Sequence, residues 1–365
     1  MAGALRILHT ESSKGWGGQE NRTINELITM RDRGHEMAVV SRPGARILDR
    51  AKELGFETYA VDMRGAIDFP NMLRLRSVIK RFGADIVNCH SSRDTQLAGM
   101  AARTLSQRPR IIRTRHLALP ITSIFTYSVL PDHVVTVSKY VENYLVEAGV
   151  PRAGITTIPT GVDFGRYDRS TVQGNLREEL GLATDTLLVG TVAILRAKKG
   201  HAEILDAAPD VLKRFPKAHF VFAGDGPQTE NLKARIAADG LHDRIHLLGL
   251  RRDVTNVLAS LDVFVLPTHQ EALGTAFIEA GAMGVPAVAS NVDGVPEVVL
   301  DGQTGFLVPA QDGKALIEPI CRLLGDPALR QDMGAKATEF VHQKYAREIM
   351  AEGMERLYWR LLEAR

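Results

Sequence analysis

Short runs of β-branched and aliphatic residues alternate with amphipathic segments of ten to sixteen residues along the whole chain, the pattern of βαβ units wound around parallel sheets. In the first half this predicts strands at 5–10, 37–41, 85–89, 110–114 and 133–137, with helices such as 21–33, 46–54 and 72–82 between them. The second half repeats the scheme, with strands at 187–194, 219–223, 244–248, 262–266 and 286–289. Between the halves, Ile158-Pro159-Thr160-Gly161-Val162-Asp163 and the polar stretch 166–173 break the rhythm and read as a linker. The expected domains are therefore 1–165 and 166–346. The tail from 336 to 365 reads as one long helical segment. Its end, about 347–365, is either a plain terminal helix or a strap packing back on the first domain, and the strap is the expectation adopted. Open α/β sheets bind ligands outside the carboxyl ends of their strands, so two such domains facing each other across a cleft suit an enzyme with two substrates.

A length of 365 residues is consistent with two domains. With 45% hydrophobic and only 6% aromatic residues, the cores should be aliphatic. Cys89 and Cys321 are the only cysteines and lie too far apart for a disulfide framework or a metal knuckle. No apolar leader or membrane-length run is present, so a cytoplasmic protein is expected. The net charge of +2 hides an asymmetry, about +6 through residue 165 and −4 beyond it. Five arginines fall between Arg103 and Arg115. They read either as a solvated surface or as a patch for anionic lipid or an anionic acceptor, with peripheral attachment at the inner face of the cytoplasmic membrane as the consequence.

The most informative stretch is Leu266-Pro267-Thr268-His269-Gln270-Glu271-Ala272-Leu273-Gly274-Thr275-Ala276-Phe277-Ile278-Glu279. A strand ends, a turn follows and a helix opens near Gly274, leaving backbone N–H groups at the positive end of a helix dipole to meet a diphosphate. Glu279, just over a turn into that helix, can accept two hydroxyls of a sugar or ribose, or can be a solvated side chain. Leu195-Arg196-Ala197-Lys198-Lys199-Gly200-His201 places cations after the first strand of the second half, where a departing diphosphate needs them. Gly224-Asp225-Gly226-Pro227 is a third candidate turn and reads equally as an ordinary βα connection. In the first half, Gly15-Trp16-Gly17-Gly18-Gln19-Glu20 falls short of a dinucleotide fingerprint, with Glu20 in place of the third glycine and no acidic residue ending the second strand. Gly17 and Gly18 still suit close approach of a phosphate or sugar. His90 and His116 each follow a strand on the same side. No Asp-x-Asp, P-loop, H-E-x-x-H or G-x-S-x-G occurs, which removes support from metal-held and serine-nucleophile chemistry.

This constellation resembles the retaining, GT-B-type glycosyltransferases of family 4, whose second domain carries an E-x7-E motif. Glu271 and Glu279 have that spacing, and Gly284–Ser290, Gly294-Val295-Pro296-Glu297 and Gly302–Val308 follow in the family's order. The resemblance implies two Rossmann-like α/β domains. It implies that Glu279 binds the nucleotide ribose, that Glu271 contacts donor-sugar hydroxyls, and that Arg196 and Lys199 neutralise the leaving diphosphate. Gly17, Gly18, Gly224, Leu250, Leu273, Gly274 and Thr275 would complete the donor site, and His116 would lie near the reacting sugar. Ile194 stands where many members place the arginine, Asp293 replaces a glycine, and Thr160 replaces an asparagine. The implied reaction is retaining, metal-independent sugar transfer from a nucleotide sugar to a glycan or lipid-linked glycan acceptor in lipopolysaccharide or other surface-glycan synthesis, with no cofactor and no nucleic acid partner. A nucleotide-sugar epimerase of the same fold and a non-catalytic glycan- or partner-binding protein are the alternatives.

Overall fold

The structure, a computed structural model, describes residues 3–63, 65, 68–117 and 119–364; Met1, Ala2 and Arg365, at the outer limits of the expected first domain and tail, lie outside the described residues. The chain divides into two compact units, Met1–Val162 with Tyr345–Arg365, and Asp163–Lys344.

The first unit holds seven strands: β1 (Arg6–Glu11), β2 (Glu36–Ser41), β3 (Glu57–Ala60), β4 (Ile86–Cys89), β5 (Arg110–Arg115), β6 (His133–Thr136) and β7 (Ile155–Thr157), all parallel, in the order β3-β2-β1-β4-β5-β6-β7. The second holds six: β8 (Leu187–Val192), β9 (Ala218–Ala223), β10 (Ile245–Gly249), β11 (Val263–Leu266), β12 (Ala287–Ser290) and β13 (Gly305–Val308), again parallel, in the order β10-β9-β8-β11-β12-β13. Both orders reverse direction beside their first strand, between β1 and β4 and between β8 and β11. Such a reversal splays the loops at the carboxyl ends and opens a crevice there. The Gly15–Gly18 turn and His90 lie at the first crevice, and the 195–201 and 267–275 loops at the second.

Helices cover both faces of the central strands, which is why the strands read as continuous apolar runs. Ile7 and Leu8 are both fully buried although they point to opposite faces. The strands absent from the sequence expectation are β3, β7 and β13. All three are sheet edges of three or four residues, with one partner each and too little apolar surface to make a pattern.

The tail is a correction to the expected single helix. One helix runs Pro327–Tyr345 and a second Arg347–Glu363, with Ala346 extended between them at φ −64° and ψ 141°. Val162 causes the break: its N–H donates to Tyr345 O (2.8 Å) and its carbonyl accepts from Arg347 N (3.0 Å). Those backbone groups therefore bond outside the helical ladder. A side chain at Gly161 would place its Cβ 2.4 Å from Arg347 Cα, so this approach requires glycine. The last helix belongs to the first unit and buries Met350, Ala351, Met354, Leu357 and Tyr358 in the same cluster as Ile7, Leu27 and Ile86. That is one face at helical spacing, with each large side chain contributing roughly 1.5–3 kcal/mol by leaving water.

Candidate functional site

In the second unit the loops after β8 and β11 are tied to each other. Thr268 Oγ1 and the His269 N–H both donate to Lys198 O, at 3.0 and 2.7 Å. Gly200, at φ +74°, passes so close to Pro267 O that any Cβ would overlap it at 2.0 Å. This crossing brings Lys199 and Glu271 together: Lys199 Nζ donates to Glu271 Oε2, and both side chains are about four-fifths covered. Asp293, missed as a site residue, explains its own departure from the family's glycine. It occupies the left-handed region (φ 48°), and its Oδ2 accepts the Glu271 N–H at 2.9 Å, while Gly294 N donates to Glu271 O at 3.0 Å. Glu271 is thus fixed by its backbone on both sides.

Gly274 caps the helix Thr275–Ala282 in the left-handed conformation, with Leu273 buried behind it. Glu279 sits on this helix, partly buried, and Tyr167 hydrogen-bonds its carboxyl. Burial pushes that carboxyl up to about 7, opposed by the Tyr167 hydrogen bond and the Arg166 charge. Tyr167 lies about a hundred residues from Glu279 in a polar stretch, so sequence reasoning had no signal for it. Arg196 is exposed and makes no ion pair among the described residues. Gly224 N donates to Gly249 O (2.8 Å), and Leu250 beyond it is 77% exposed at the same strand ends. A Cβ at Gly224 would meet Ala193 O at 1.9 Å, so the turn itself demands that glycine. A cavity of about 930 Å³ opens elsewhere on this unit, lined by Phe164, Tyr167, Met283, Arg330 and His342, away from the Lys199–Glu271 pair. No group of three His, Cys, Asp or Glu side chains placed to hold a metal occurs among the described residues.

In the first unit, Gly17 and Gly18 stand at the start of the first helix (Gly18–Asp32). A Cβ at Gly18 would meet nothing within 4 Å, and one at Gly17 would meet only Glu20 Oε2, at 3.6 Å. Packing leaves room for side chains here, unlike at Gly200 and Gly224. His116 and His90 meet at the carboxyl edge of β5 and β4, with His90 Nδ1 2.9 Å from His116 Nε2. The row continues to His9 on β1, whose Nδ1 lies 2.9 Å from His90 Nε2, its ring stacked on that of His90 at 5.2 Å. His9 was not expected, because only the strand order places it beside His90.

The five arginines of 103–115 all have acceptors within the first unit. Arg103 donates to Gly99 O and Leu130 O, and Arg108 to Asp132. Arg110 donates to Leu361 O, Arg113 to Thr126 O and Tyr127 Oη, and Arg115 to Leu117 O. Arg113 and Arg115 are buried. Much of this positive charge braces loops. No helix among the described residues is long and apolar enough to cross a membrane.

Comparison with known proteins follows the same division. Residues 16–166 match the family model described as Glycosyltransferase Family 4, and residues 172–340 the model described as Glycosyl transferases group 1. An Escherichia coli UDP-Gal:alpha-D-GlcNAc-diphosphoundecaprenol alpha-1,3-galactosyltransferase is 29% identical over 279 residues, 72% of each chain. A GDP-mannose-dependent alpha-(1-6)-phosphatidylinositol monomannoside mannosyltransferase of Mycolicibacterium smegmatis is 31% identical over 281 residues, again 72% of each. The crystal structure of a glycosyltransferase from Rickettsia africae superposes with a TM-score of 0.90 at 20% identity, covering 99% of this chain and 100% of that one. The two parallel-sheet Rossmann-like domains are of the GT-B fold class, and the chain belongs to family 4 of the glycosyltransferases.

Proposed function

We propose that the chain transfers a sugar from a nucleoside diphosphate donor to a hydroxyl of a bacterial surface-glycan acceptor, with retention at the anomeric carbon and without a metal ion. The observation that carries this reading is the Lys199–Glu271 pair, fixed in the second unit next to the loop that opens the Glu279 helix. An ammonium has three N–H donors; Glu271 takes one, and two remain for phosphate oxygens. Arg196 and the first N–H groups of the helix, those of Thr275 and Ala276, add positive charge where the departing diphosphate develops negative charge, the role a metal fills elsewhere. Glu271 keeps a second carboxylate oxygen for a sugar hydroxyl, and Glu279 accepts the ribose hydroxyls. In the first unit His116 offers a ring nitrogen to a substrate hydroxyl, and the bare turn at Gly17 and Gly18 admits a phosphate or sugar to the backbone. The acceptor oxygen attacks from the face that the diphosphate leaves.

By their names, the Escherichia coli and Mycolicibacterium smegmatis relatives act on a diphosphoundecaprenol and a phosphatidylinositol, both lipids. We extend this to a lipid-linked acceptor met at the inner face of the cytoplasmic membrane. Leu117, Leu119, Ile124, Phe125 and Val129, each 43–50% exposed in one stretch of the first unit, support such a contact.

The test is a thermal-shift screen of UDP, GDP, ADP and CMP, followed by transfer to a polyprenyl-diphosphate sugar in excess EDTA. A bound nucleotide at 100-fold excess over Kd adds about 2.7 kcal/mol to stability. The expected product keeps the donor's anomeric configuration. No shift with any nucleotide, inversion, or activity restored only by Mg²⁺ each defeats the corresponding part. An epimerised donor formed without acceptor would favour the epimerase.

A further inference from the structure

The histidine row of the first unit ends on a carboxylate. Glu26 Oε1 lies 3.6 Å from His9 Nε2, accepts the Tyr358 hydroxyl, and faces the Asn88 amide nitrogen at 3.5 Å. Asn88 Oδ1 accepts from Thr114 Oγ1 at 2.8 Å, which fixes the way that amide points. A side chain faced by two donors acts as an acceptor. His9 Nε2 is buried without a hydrogen bond, and the Glu26 carboxylate, 3.6 Å away at Oε1, is the acceptor it faces.

Proton counting along the row then leaves one arrangement. With its hydrogen on Nε2 towards Glu26, His9 has a lone pair on Nδ1 and must accept from His90 Nε2. His90 Nδ1 then accepts from His116 Nε2, and the other nitrogen of His116, Nδ1, is left unprotonated at the outer end. Thr23 fits the same arrangement: with its hydroxyl donating to Gln19 O (3.1 Å), its oxygen is left to face a proton on His90 Nε2, 3.4 Å away. Burial holds all three imidazoles below their ordinary pKa, His90 and His116 well below it, so each ring carries one proton at neutral pH.

We propose that Glu26, acting through His9 and His90, sets the tautomer of His116 so that His116 presents Nδ1 as a hydrogen-bond acceptor to a substrate hydroxyl. Its functional half rests on the reading of His116 given above. Glu26, His9 and His90 are positioning residues, and Tyr358 brings the last helix into the row by holding Glu26 as an acceptor.

The test reads ring-nitrogen chemical shifts of isotope-labelled histidine in the full chain at neutral pH, with His116 assigned by loss of its signals in His116→Gln. The wild type is expected to show His116 protonated on Nε2; a proton on Nδ1 overturns the proposal without any need for a variant. In Glu26→Gln the amide oxygen turns to Tyr358 and Asn88, and its NH₂ donates to His9, so the row reverses and His116 gains a proton on Nδ1. Turnover should then fall about 10–100-fold, with donor KM changed by less than about threefold. An unchanged His116 tautomer in folded Glu26→Gln overturns the proposal. A reversed tautomer with unchanged turnover upholds the row and removes His116 from the transfer reaction, so the two readings fail separately.

Discussion

The first unit buries Glu11, Glu20, Arg22, Glu26, Asp94, Arg113, Arg115 and Glu142, whereas the buried polar residues of the second are Thr186, Thr191, His201, His219, Ser260, Thr268, Ser290 and Thr304. Much of the charge in the first unit is walled in and hydrogen-bonded by protein groups. Arg22, fully buried, donates to Ile158 O at 3.0 Å, and Asp94 accepts from the His90 and Ser91 N–H groups at 2.9 and 2.7 Å. In the second unit, the charges of interest, on Arg196, Lys199 and Glu271, lie at the edge, partly open. A buried ionised network fixes geometry at high cost if broken. A half-open charge costs the fold little and keeps capacity for a ligand.

The sharpest way to break this contrast is Arg22→Ala. It should destabilise the first unit by about 3–5 kcal/mol, because it removes a buried cation and leaves its carbonyl acceptor and the nearby Glu26 uncompensated. Denaturant unfolding checks it, and a loss below about 1 kcal/mol would show that the first unit tolerates unpaired charge as the second does. Lys199→Ala is the counterpart at the open edge. Turnover should fall roughly 10²–10³-fold, yet stability should change by no more than about 1 kcal/mol, as expected for a partly exposed ion pair. A large loss of stability would make the pair a structural brace.

The smallest effect is expected from Glu279→Gln, and it has a sign. The folded-state carboxyl titrates at about 7 against an ordinary 4.5, so the native state holds a proton that the unfolded chain has lost. Stability of the wild type therefore falls as pH rises from about 4.5 through 7. The variant escapes this loss and should be more stable by about 1–3 kcal/mol above pH 7, with no gain near pH 4. Unfolding of the two proteins at both pH values decides the matter; equal stability at high pH would place Glu279 in a better-solvated setting.

Much of the second unit was legible from sequence because its signals are local. Glu271 and Glu279 share one strand–turn–helix, and their spacing survives without knowledge of any other segment. Lys199 was visible as a cation after a strand, although its contact with Glu271 depends on the crossing at Gly200. The first unit hid more, since its chemistry is assembled across the sheet. His9, His90 and His116 come from β1, β4 and β5, three neighbours only in the folded order. The arginine run misled for a related reason: the carbonyls that engage Arg103 and Arg110 belong to distant segments, so charge counting overstated the open positive surface. The helix break at Ala346 was equally invisible, because Val162, nearly two hundred residues earlier, imposes it.

The return of the last helix to the first unit has a consequence for the order of events during synthesis. Met350, Met354, Leu357 and Tyr358 leave the ribosome after the whole of the second unit, which ends at Lys344. The usual sequence, in which the amino-terminal domain folds first, is therefore inverted at its final step. The second unit can close its core while the first still displays an apolar face to the cell. Translation speed over the last turns of the chain and the supply of chaperone at the tunnel exit thus bear on the half of the protein that was made first.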